Sequence, residues 1–62
     1  MKAVRQIRLM KSKSIDDIFV ETGISIPKIS RIERGIYQPT EREKKLISKA
    51  LRESPKKVFP VE

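Results

Sequence analysis

The chain has 62 residues, no cysteine and no histidine, and fifteen Lys and Arg against eight Asp and Glu, a net charge of +7. That length suits one small domain over residues 1–62, with a core too small for much stability and no disulfide or thiolate metal site to reinforce it. The usual general base and the commonest metal ligand are missing, and the carboxylates fall at helix starts or on charged helix faces. No catalytic residue, metal site, cofactor or small-molecule effector is therefore expected. The charge favours a polyanionic partner, nucleic acid first and an anionic membrane surface second, against the plainer reading of a solvated surface. No apolar run approaches the ~20 residues of a membrane-spanning helix. The opening Met1-Lys2-Ala3-Val4-Arg5 turns charged too soon for a signal peptide. The chain reads as soluble and cytoplasmic, without a membrane partner.

The first helix is expected over Ala3 to Lys11, where Val4, Ile7 and Met10 recur at helical spacing. Ser12-Lys13-Ser14 breaks it. Ser14 with Asp17 three residues on forms a capping box, and Asp16 and Asp17 place negative charge in the first turn of the next helix. That second helix runs from Ile15 to Thr22, with Ile15, Ile18, Phe19 and Thr22 on its apolar face. Gly23 follows where chains leave helices in the left-handed conformation. Ser25 caps a third helix over Ile26 to Arg34, with Pro27 in its first turn and Gly35 as its stop. Tyr37-Gln38-Pro39 is a loop. Thr40 and Glu43 make a second capping box. A fourth helix then runs from Glu41 to about Arg52, burying Leu46, Ile47, Ala50 and Leu51. Ser54-Pro55 opens a last helical turn carrying Val58 and Phe59, and Pro60 ends it, leaving a tail over about 60–62. No segment alternates with period two, so the expected class is all-α.

Helices two and three, over about residues 14–35, are joined by a short turn that begins with Gly23, which is the helix-turn-helix arrangement. Around helix three, Ile29 and Ile32 fall on one side. Pro27, Ser30, Arg31 and Arg34 fall on the other, with Ile26 and Lys28 at its edges. Glu33, the one acid in this helix, points toward the buried side. A helix sorted in this way presents cations and small polar groups to a groove lined with phosphates.

The ordered set Gly23-Ile24-Ser25, Ile29-Ser30-Arg31-Ile32-Glu33-Arg34-Gly35 and Pro39-Thr40 resembles the Cro/repressor (Xre-like) helix-turn-helix family. Lys49-Ala50-Leu51 and Ser54-Pro55 through Val58-Phe59 match that family's fourth and fifth helices, and Arg8 stands where it has an arginine in helix one. The resemblance covers about Val4 to Phe59. It implies a compact five-helix, lambda-repressor-like domain that binds double-stranded DNA through the major groove. Three positions depart from the pattern. Lys13 replaces a leucine, Phe19 a small alanine between helices two and three, and Ile15 a phosphate-touching glutamine.

By the resemblance, Ile26, Pro27, Lys28 and Arg31 face base edges, while Ser14, Ile15, Ser25, Ser30, Arg34, Tyr37 and Gln38 lie along the DNA backbone. Arg8 and Glu33 correspond to an internal salt bridge. Alternatives stay open at several of these. Arg31 and Lys28 can fork onto a guanine or hold a phosphate. Ile26 can pack on a thymine methyl or fold back on the core, and Pro27 serves equally as a helix starter. Tyr37 can grip the backbone or anchor its loop.

The function implied is a sequence-specific transcriptional regulator, a repressor acting by operator occupancy. It is expected to bind near-palindromic sites as a weak homodimer or a dimer formed on DNA. Val58, Phe59, Pro60 and Val61 are candidates for the contact between copies, with Phe59 equally placed to close the core. A protein-binding module or antitoxin-like partner on the same fold is the alternative. RNA suits the arrangement poorly, because its deep, narrow groove excludes side chains.

Overall fold

The computed structural model describes residues 2–60 and contains five helices and no strand among them. They are α1 (Lys2–Met10), α2 (Ile15–Thr22), α3 (Ile26–Glu33), α4 (Glu41–Leu51) and α5 (Pro55–Val58). α2 lies against α3 and α4, α1 against α3 and α5, and α4 against α5. One core fills the space between them, built from Val4, Ile18, Ile24, Ile29, Ile32, Ile47, Leu51, Val58 and Phe59.

The caps explain the helix starts. Asp17 is shorter than the usual glutamate, yet both bonds of its capping box close. The Asp17 N–H donates to Ser14 Oγ at 3.1 Å, and the Ser14 N–H donates to Asp17 Oδ2 at 2.9 Å. At α4 the Glu43 N–H donates to Thr40 Oγ1 at 3.1 Å, and the Thr40 N–H donates to Glu43 Oε1 at 2.9 Å. α2 ends on Gly23 at φ 78°, a conformation an L side chain adopts only at a cost. The N–H of Gly23 reaches the Phe19 carbonyl at 2.8 Å. Thr22 Oγ1 tightens the same corner, donating to the Ile18 carbonyl and accepting from the Ile24 N–H. That corner sends α3 off across α2.

Several positions differ from the sequence-based expectation. Met10 is 81% exposed. The buried side of α1 is Val4, Ile7 and Arg8, and Met10 lies well round the helix from it. Phe19 is 42% exposed. A phenyl ring is larger than the space between two closely packed helices readily takes, so part of it stays in solvent. Leu46 is half-buried, and Ile47, Ala50 and Leu51 carry the core contact of α4. Phe59, at 6% exposed, closes the core, as does fully buried Val58. Neither offers surface to a second copy, and Val61 lies outside the described residues. Ser48 is buried in α4, and its Oγ has no hydrogen-bond partner among the described residues. Ile24, in the turn between α2 and α3, joins the core.

Candidate nucleic-acid interface

The outward face of α3 follows from how its inward face is held. Ile29 and Ile32 are fully buried. Glu33 is also buried, and its carboxylate takes the Arg8 guanidinium at Nε–Oε2 2.7 Å and Nη2–Oε1 3.3 Å. Arg8 Nη1 donates in turn to the Lys13 carbonyl at 3.0 Å. One guanidinium therefore fastens α1, the loop before α2 and the end of α3. An ion pair this deep adds little net stability, because desolvation offsets its attraction. A fork of directed bonds does fix orientation.

The opposite side of α3 is open. Pro27 and Arg31 are exposed, Ile26 is 39% exposed, and Lys28 and Ser30 are half-buried. Arg34, the C-cap of α3, is exposed, and neither it nor Arg31 has an ion-pair partner among the described residues. Gly35 stands at φ 77°, which lets the Ile36 N–H return to the Arg31 carbonyl at 2.9 Å and stops the helix. Ser25 caps the other end, its Oγ accepting from the Lys28 N–H at 3.3 Å. The five N–H donors of Arg31 are thus presented in a planar fork on an exposed helix face, the geometry that suits a guanine edge or a phosphate.

Lys28 is the residue whose surroundings the sequence did not reveal. Its Nζ lies 3.2 Å from Glu43 Oε2 and 5.0 Å from the centre of the Tyr37 ring. The Tyr37 hydroxyl donates to Glu43 Oε1 at 3.0 Å. Tyr37 also packs against the core, so it anchors its loop. Glu43 therefore serves the cap of α4, the tyrosine and the lysine at once. The Thr40 N–H holds its carboxyl below the ordinary range, with the Lys28 and Tyr37 hydrogen bonds adding to the effect against some desolvation. The Lys28 ammonium is pushed up, first by its hydrogen bond to Glu43. The signal for this contact was present in the sequence as Glu43 in a capping box. Its reach across to α3 depended on how α4 crosses, which no local pattern encodes.

The remaining backbone-facing candidates divide. Ser14 is exposed, with its hydroxyl engaged in the α2 cap. The Ile15 side chain packs against the core, so only its main chain could face a phosphate. Gln38 is exposed. Lys13, which stands in place of a leucine, pairs with Glu21 at 2.6 Å.

A second cationic surface lies on α4. Arg42, Lys45 and Lys49 repeat at helical spacing on its outer side and Arg52 follows as its C-cap, all exposed and with no ion-pair partner among the described residues. Its first member, Arg42, shares an open groove with Ser25, Lys28, Thr40 and Glu43.

No group of His, Cys, Asp and Glu that could hold a metal ion occurs among the described residues. No helix among them is long and apolar enough to cross a membrane. A helix-turn-helix family model matches residues 4–58. Neither the curated proteins nor the solved structures returned a match.

Proposed function

Because the chain belongs to the Cro/repressor-type (Xre-like) helix-turn-helix family of DNA-binding regulators, we propose that it binds a specific duplex operator and represses by occupying it. The observation that carries this reading is the sorting of charge on α3. Its only carboxylate is buried against Arg8, while Arg31 and Arg34 stand exposed and unpaired among the described residues. In this reading α3 enters the major groove. Arg31 reads a base edge, Ile26 and Pro27 supply apolar contact, and Lys28 reaches a base acceptor. Ser14, the Ile15 main chain, Ser25, Ser30, Arg34, Tyr37 and Gln38 follow the backbone. Two copies occupy a near-palindromic site in the cytoplasm.

The test is selection of bound sites from a random duplex library at two salt concentrations. A two-fold-symmetric consensus, with affinity falling steeply as salt rises, is the expected result. Arg31→Ala should then relax one position in each half-site, at a cost of about 1–3 kcal/mol for the preferred base. Weak, equal binding to all duplexes would leave only a basic surface and favour a protein partner instead.

A further inference from the structure

We infer that Glu43 sets the DNA specificity of this protein by competing with phosphate for Lys28. The inference rests on the DNA-binding reading above and adds to it a residue that need touch neither base nor backbone.

Lys28 sits in the first turn of α3, beside the helix start that enters the groove in that reading. Its ammonium is held from two sides, by Glu43 Oε2 at 3.2 Å and by the Tyr37 ring at 5.0 Å. Glu43 is not a mobile surface acid. Its Oε1 accepts from both the Thr40 N–H at 2.9 Å and the Tyr37 hydroxyl at 3.0 Å, and its side chain is 14% exposed. The lysine side chain is 40% exposed and has the longer, freer stem. The carboxylate stays, and the lysine can leave.

A phosphate at random sequence offers Lys28 one anion in exchange for the one it already has, so the exchange gains little. A guanine presents two adjacent acceptors, O6 and N7, on a rigid edge. Breaking with Glu43 is then worthwhile at that base and unprofitable elsewhere. The same device explains why an acid is tolerated beside the outward face of α3, which carries none of its own. The alternative arrangement, with Lys28 unrestrained, would add a phosphate contact to every complex and lower discrimination.

Glu43→Gln isolates the charge, because glutamine also closes a capping box at this position and keeps an acceptor for Tyr37 and the Thr40 N–H. Circular dichroism melting first establishes that each variant is folded. Affinities are then measured across a salt series for the selected operator and for a duplex of scrambled sequence. In wild-type protein the ratio of the two reports specificity. Glu43→Gln should tighten scrambled-duplex binding by about two- to fivefold, the range expected for release from an exposed ion pair. The operator should gain less, so the ratio falls. The salt dependence on scrambled duplex should steepen by about 0.9, one added phosphate contact.

Lys28→Gln and the double variant complete a cycle. In the Lys28→Gln background, Glu43→Gln should leave scrambled-duplex affinity unchanged. An equal gain in both backgrounds would mean that Glu43 simply repels DNA, and would overturn the inference. So would an unchanged slope and ratio in Glu43→Gln alone. Wild-type protein that fails to prefer its operator would sink the DNA-binding reading itself, and the inference with it.

Discussion

Glu33 and Glu43 are chemically identical and stand ten positions apart, yet they engage α3 in different ways. Glu33 is 9% exposed and locked to Arg8 from beneath. Removing it alone leaves a buried guanidinium and costs several kcal/mol, roughly 3–5 for such pairs, which a domain of this size can barely tolerate. The informative change is the double one. Arg8→Met with Glu33→Leu replaces the pair by apolar groups, and melting should stay within a few degrees of wild type. Operator affinity should nevertheless fall about tenfold or more, because the fork that sets the angle of α3 is gone. Calorimetry and an operator titration on the same preparation check this, and unchanged affinity would show that packing alone orients the helix. Residue identities carried much of this into view beforehand. Glu33 falls on the inner side of α3 by helical angle, and Arg8 follows from the resemblance. Met10 and Phe19 were misplaced because spacing says which residues share a side but not how wide the buried side is. In α1 it narrows to Val4, Ile7 and Arg8.

At the scale of the element, the starts of helices were legible and the ends less so. Ser14, Ser25 and Thr40 announce α2, α3 and α4 through hydroxyl caps that are local in sequence, and the helices begin where those caps put them. α1, α3 and α4 each stop one residue early, and α3 is followed by the expected Gly35 while the other two are not. Those two leave through Ser12 at φ 58° and Arg52 at φ 57°, left-handed residues with no glycine to mark them. The two capping boxes also have a chemical consequence. Asp17 and Glu43 each sit below the ordinary carboxylate range, in both cases chiefly because a cap-residue N–H bonds the ionised form. A depressed carboxylate contributes stability that is fully present above its unfolded pKa, around 4, and lost as pH falls through the folded value. With no histidine in the chain, urea midpoints should hold steady between about pH 8 and 5 and decline below about 4.5. The Asp17→Asn, Glu43→Gln variant should start lower and show a shallower acid limb. An acid limb as steep as wild type would place the sensitive groups elsewhere.

For the whole molecule, size bears on how two copies meet. Half-sites one helical turn apart put recognition helices about 34 Å from each other. The Cα trace spans 28 × 21 × 19 Å, so two copies placed in this way would meet only at their edges. Val58 and Phe59 are committed to the core, so neither supplies apolar surface for that meeting. Sedimentation at micromolar concentration should therefore show a monomer without DNA and two copies on a duplex carrying both half-sites. A tight dimer without DNA would mean that a broader surface is used. The sequence alone left Phe59 divided between core and interface, since a terminal aromatic satisfies either pattern until α5 is seen against α1 and α4.

The commitment of Val58 and Phe59 also orders events during synthesis. α1 to α4 leave the ribosome first, with α1 and α4 lacking the two buried side chains that α5 and its C-cap pack against them. α3 packs against α1, and α1 against α5, so the support beneath α3 is complete only once α5 has been made, although α3 itself is made early. An interrupted nascent chain that ends before Val58 would carry α3 without that support, and in the proposed reading it would compete poorly with finished protein for DNA.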